Sequence, residues 1–112
     1  MKLAGKRLEP MAHKNRNDSD ELHHLYEIVD KIDDDTFKYG ISCEPISKKD
    51  GMSKRMRVQL RFANLLSDWA RFFTRILIKE IPGRKEAKRI EREHIKGYKE
   101  RNGQRPRGNL TD

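Results

Sequence analysis

The chain has 112 residues, 34% of them hydrophobic and 39% charged, and a net charge of +8. That length allows one domain with a modest core. A single cysteine, Cys43, excludes an internal disulfide or a multi-cysteine zinc site, and no stretch reaches transmembrane length, so no membrane partner is expected. The charge is unevenly spread. Residues 21–42 carry two basic and six acidic side chains, while residues 43–112 carry nineteen basic and nine acidic. A basic C-terminal two-thirds points to a polyanionic partner, most simply nucleic acid; a merely soluble basic surface is the alternative.

Residues 1–20 are polar and basic with no sustained period, and read as a lead-in or linker. They lack an apolar core segment, so no conventional signal peptide is expected. The domain itself is expected over 21–112. Leu25 to Val29 and Thr36 to Ile41 are rich in β-formers and flank the turn signal Asp33-Asp34-Asp35, which predicts a hairpin. On the second strand Phe37, Tyr39 and Ile41 are expected to share one face, with Lys38, Gly40 and Ser42 on the other. Gly40 inside a strand pattern implies close backbone approach or a bulge.

Residues 43–52 form a loop. Ser53 is a candidate N-cap for a helix to about Asp68, whose face Arg55, Val58, Phe62, Leu65, Leu66 and Trp69 is expected to meet the core. Phe72 to Ile81 reads as a strand. Both its faces are partly apolar, as for a central strand covered on each side. Pro82-Gly83 breaks it. A long helix then runs over 84–102, with Gly103 suited to a left-handed cap. Along it Ala87, Ile90, Glu91, His94, Ile95 and Tyr98 recur at i, i+3, i+4, i+7, i+8 and i+11, one face of an amphipathic helix. The order is strand, strand, helix, strand, helix. This is an α+β fold with a small three-stranded antiparallel sheet packed by helices.

Glu91 does not belong on an apolar stripe. A carboxylate there loses hydration at a cost of several kcal/mol unless it is paired or bound to a metal. It therefore faces a positive group, a cation or the mouth of a cleft, or else lies at the stripe's edge paired with a nearby Arg. Glu91 and His94 also form a Glu-x-x-His pair, the half-motif of a carboxylate di-metal bundle, and Glu21 and His24 share that spacing. These run into a predicted strand, however, and a bundle needs both pairs and two further carboxylates on four facing helices.

The ordered set His24-Leu25-Tyr26, Phe37-Lys38-Tyr39-Gly40-Ile41-Ser42, Arg55, Glu91 and Arg107-Gly108-Asn109 resembles the GIY-YIG endonuclease superfamily. It is most similar to the nuclease domains at the C-termini of bacterial polymorphic toxins, with a comparable Pro-Gly-Arg-Lys turn and Pro-x-Gly-Asn ending. His24 stands where the family's first motif opens with glycine. With Gly40 aligned to the second motif's glycine, Lys38 falls at its tyrosine, and Tyr39 is the neighbour on the opposite face.

The resemblance implies a metal-dependent endonuclease acting on nucleic acid, DNA favoured over RNA. Its catalytic set would be Tyr26, Tyr39, Arg55, Glu91 and Asn109. Glu91 would hold one Mg²⁺ or Mn²⁺, since Mg²⁺ commonly uses one or two carboxylates plus water and phosphate. Arg55 would clamp the phosphate, Tyr26 would orient or deprotonate the water with Tyr39 or Lys38, and Asn109 would fix substrate or the site's backbone. Lys38, Lys54, Arg57, Arg84 and Lys85 would meet the nucleic acid. Delivery inside a larger secreted protein into a bacterial cytoplasm, and an immunity protein with an acidic surface, are implied too. Without the resemblance, Tyr26 reads as a half-buried strand aromatic and Arg55 as the partner of an acid near its helix start. The alternative function is a non-catalytic basic nucleic-acid-binding module, or more remotely a domain that binds an acidic protein.

Overall fold

The computed structural model describes residues 20–67 and 70–110; the lead-in and Trp69 lie outside them. Three strands and two helices follow in order: β1 (Leu22–Asp30), β2 (Asp35–Ser42), α1 (Lys54–Leu66), β3 (Phe72–Pro82) and α2 (Arg84–Asn102). The sheet is antiparallel in the order β2-β1-β3. The architecture is the expected α+β sandwich, and the β1–β2 hairpin forms as the turn signal predicts.

The central strand is β1, not β3. Its residues from His23 to Asp30 are all buried, so it carries apolar side chains on both faces: Leu25 and Val29 on one, Tyr26 and Ile28 on the other. Two carboxylates are buried with them. Glu27 accepts from Thr36 Oγ1 at 2.8 Å and Arg75 Nε at 2.5 Å. Asp30 is held by Arg71 and Arg107. β3 is an edge strand whose Phe73, Leu77 and Ile78 stay exposed, which corrects the expectation drawn from its two-sided apolar pattern.

A helix packs on each face. On one face Ala87, Ile95 and Tyr98 of α2 meet Leu25, Tyr39, Ile41 and Ile81. The predicted stripe of α2 is the buried one, and Gly103 caps the helix at φ 84° with its N–H on Lys99 O. On the other face Met56 and Ala63 of α1 meet Tyr26, Ile28 and Phe72. Ser53 is the N-cap of α1, as expected. However, the apolar stripe expected to face the core points outwards: Val58, Phe62, Leu65 and Leu66 are 51–72% exposed. Tyr26 and Phe72 already fill this face of the sheet, so the helix approaches through the slim Met56 and Ala63.

Phe37 also departs from simple alternation. The register shifts between Ile28 and Val29, whose partners are Lys38 and Thr36. Phe37 is the extra residue of this bulge. Its ring turns to the α1 face and packs on Phe72, centroids 4.8 Å apart, not beside Tyr39.

Candidate active site on the free edge of the sheet

The site is built where β2, the start of α1 and the middle of α2 converge on one sheet edge. Gly40 pairs with Tyr26 across the β1–β2 ladder. A side chain at Gly40 would overlap the Tyr26 ring and hydroxyl, so Tyr26 occupies that space. Its phenol is fully buried and donates to Gln59 Oε1 of α1 at 2.5 Å. Burial pushes the phenol up to about 12, against the nearby Arg55 guanidinium. Tyr26 therefore keeps its proton at neutral pH.

In front of this layer lies a cleft of about 270 Å³. Lys38, Tyr39, Arg55, Arg84, Glu91 and Asn109 line it, so six of the residues expected at the site meet there. Glu91 is 9% exposed, and its carboxylate takes Lys88 Nζ at 3.3 Å. The partner is thus a lysine one turn away, and the carboxylate lies at the cleft as its position on the stripe implied. The Lys38 amine is pushed down by burial and by Arg55, while Glu91 pulls it up.

Tyr39 turns its ring the other way, into the core against α2, edge-on to His94 at 5.4 Å. Its backbone is at the cleft: Asn109 Oδ1 accepts from Tyr39 N at 2.9 Å and Asn109 Nδ2 donates to Tyr39 O at 3.0 Å. Three residues expected to meet nucleic acid do not line the cleft. Lys54 and Lys85 are exposed on the outer faces of their helices. Arg57 is drawn away to Asp50, Nε to Oδ2 at 2.9 Å. Arg55 meets an acid through its backbone, N–H to Glu44 Oε1 at 3.0 Å.

Lys88 and Arg92 were not singled out in the sequence, yet both line the cleft. With Arg84 they stand four residues apart on one ridge of α2. That spacing was the available signal, hidden among the many charges of a solvated helix. Gln59, the partner of Tyr26, carried no signal.

The cleft combines five cations with one carboxylate. Its chemistry is that of an anion site, able to take phosphate through guanidinium forks and ammonium groups. The sequence matches the model of the family described as URI fold toxin 2, Tox-URI2, over residues 14–103. The chain belongs to that family. This Tox-URI2 chain is thus a toxin domain of polymorphic-toxin type. No curated protein and no solved structure matches it. No described helix of the domain is long and apolar enough to cross a membrane.

A metal fits the cleft only in a restricted way. Among the described residues no three His, Cys, Asp or Glu side chains form a cage. Glu91 offers one carboxylate to a hard cation that keeps waters and takes further oxygens from a phosphate, as Mg²⁺ commonly does. The surrounding cations oppose a metal arriving alone and favour one arriving with an anion.

Proposed function

We propose that this Tox-URI2 domain is a divalent-metal-dependent endonuclease of the GIY-YIG kind, hydrolysing phosphodiester bonds in nucleic acid, with DNA favoured. One observation carries the reading: a buried carboxylate, Glu91, opens onto a cleft whose other charged residues are all cations. Phosphate binding alone does not need that carboxylate, and its burial is costly.

Glu91 would hold a single Mg²⁺ or Mn²⁺, which when bound supplies positive charge at the phosphoryl oxygens. Arg55 grips the scissile phosphate with its guanidinium fork. Arg84, Lys88 and Arg92 hold flanking phosphates along the ridge of α2. Tyr26, protonated and beside Arg55, orients groups rather than removing a proton. Lys38 takes the place of the second motif's tyrosine and accepts a proton from the attacking water. Asn109 fixes the backbone of β2. The domain would act in a target cell's cytoplasm as part of a larger secreted protein, and its producer would carry an immunity protein with an acidic surface, complementary to the cleft.

The Lys88–Glu91 pair favours a second reading, a non-catalytic nucleic-acid-binding module in which Glu91 merely holds Lys88. Incubation with plasmid DNA and with total RNA, in Mg²⁺ and in EDTA, separates the two. We expect metal-dependent cleavage by the wild type. Glu91→Gln should lose at least about 100-fold in rate while still binding nucleic acid. Binding without cleavage in every metal tried selects the binding module, and full activity in Glu91→Gln removes the role of Glu91.

A further inference from the structure

The free edge of β2 is not bare. Residues 105–109 lie along it as a turn, with Asn109 N–H on Pro106 O at 3.1 Å and Arg105 Nε on Asn109 O at 2.8 Å. This turn takes three outward backbone groups of β2. Gly108 N–H donates to Phe37 O at 2.7 Å, and the Asn109 amide pairs with both N–H and C=O of Tyr39. Gly108 sits against the Phe37 ring and Lys38 Cβ so closely that a side chain there would collide with both. Lys38 is therefore held on each side by residues whose backbone the turn has fixed.

The turn buries Pro106 and Asn109, and it has a charged anchor as well. Arg107 supplies it. Its Nη2 reaches Asp30 Oδ2 at 2.7 Å, and its guanidinium lies over the Phe37 ring at 5.5 Å. Asp30 is fully buried and also held by Arg71, Nε on Oδ1 at 2.8 Å and Nη2 on Oδ2 at 2.6 Å. The carboxylate is thus a fixed post at the end of the central strand, about as rigid a partner as this fold offers.

We propose that Arg107, anchored on Asp30, closes a C-terminal clasp that sets Lys38 in the cleft, which makes Arg107 a positioning residue. The inference rests on the nuclease reading for its consequence in rate, and on geometry alone for the clasp. It assigns Arg107 away from nucleic acid: its charge serves the fold of the site.

The test compares Arg107→Met, Arg107→Lys, Asn109→Ala and the Arg107→Met/Asn109→Ala double variant. Amide exchange by NMR reads the clasp directly, since the Tyr39 N–H is the donor to Asn109. Arg107→Met should speed Tyr39 exchange by about tenfold, the scale of one lost hydrogen bond, and shift the Lys38 signals. The amides of β1 should not change. In plasmid cleavage kcat should fall at least about tenfold, as expected for a misplaced group, with KM within about twofold. The double variant should be no worse than Asn109→Ala, and Arg107→Lys should recover part of the loss. Unchanged Tyr39 exchange in Arg107→Met overturns the clasp. Losses from Arg107 and Asn109 that multiply overturn the positioning role, as does a rise in KM with kcat intact, the mark of a phosphate contact. Should the wild type cut no nucleic acid, that failure belongs to the nuclease reading, and Tyr39 exchange with the Lys38 signals decides the clasp.

Discussion

At Gly40 the backbone of β2 passes so near Tyr26 that no side chain fits between them. A glycine within a strand pattern already implied a close approach in the sequence; what it could not give was the ring that approaches. Gly40→Ala is expected to cost about 1–3 kcal/mol, the usual range for overpacking a tight site, because Tyr26 is wedged between β2 and Gln59 and has no open side to yield to. Urea denaturation measures the loss, and a variant as stable as the wild type would mean that the ring moves freely. The same displacement would pull the phenol from Gln59 and Arg55, so cleavage should fall too. Glu91 was legible for a similar reason, as a carboxylate where the helix period required an apolar residue. Lys88 and Arg92 were not, since a basic residue on a basic helix looks the same whether it faces a cleft or open water.

For whole elements, periodicity located the helices and misjudged one orientation. Both helices begin and end within two residues of their expected bounds, because Ser53, Pro82-Gly83 and Gly103 are local signals. On α2 the stripe and the buried face coincide. On α1 a genuine apolar stripe faces outwards, and Met56 and Ala63 make the contact with the sheet. The choice was made by the partner surface: Tyr26, Ile28 and Phe72 leave little depth beneath the helix, and this is a tertiary fact invisible to a helical wheel. The two orientations make opposite predictions. Met56→Ala should cost about 2–5 kcal/mol as a buried truncation, whereas Phe62→Ser should stay within about 0.5 kcal/mol as a surface change. Denaturation midpoints of the two variants decide it, and the reverse order would return the stripe to the core. β3 was misjudged by the same reasoning, since apolar residues on two faces do not distinguish a central strand from an edge strand with exposed Phe73 and Leu77.

Over the whole molecule, Asp30 ties together segments that the sequence keeps far apart. Arg71 lies 41 residues away and Arg107 lies 77 away. Local patterns carry no sign of such a junction, which is why Arg71 did not stand out and Arg107 was noticed only as part of the Arg107-Gly108-Asn109 ending. The junction should govern acid stability. The Arg71 guanidinium holds the Asp30 carboxyl well below the usual carboxylate range; burial opposes this, and Arg107 and the Ile32 and Asp33 N–H groups add to the lowering. A carboxylate whose folded value is depressed contributes stability that is complete above its unfolded value, near pH 3.9. That contribution is lost as pH falls towards the folded value. Below about pH 4, then, the wild type should lose stability more steeply than Asp30→Asn, which has no proton to take up at this position. Asp30→Asn also leaves two guanidiniums without their anion and should be less stable at neutral pH. Where it does not fold, Arg107→Met serves instead, because losing one guanidinium raises the folded value and should flatten the acid slope. Arg107 also lies 3.7 Å from Asp33, so Asp30→Asn is the variant that isolates Asp30. Urea denaturation from pH 7 down to about pH 3 gives those slopes. Identical slopes in the wild type and both variants would show that the acid loss comes from the general rise in net charge above +8 and not from this junction.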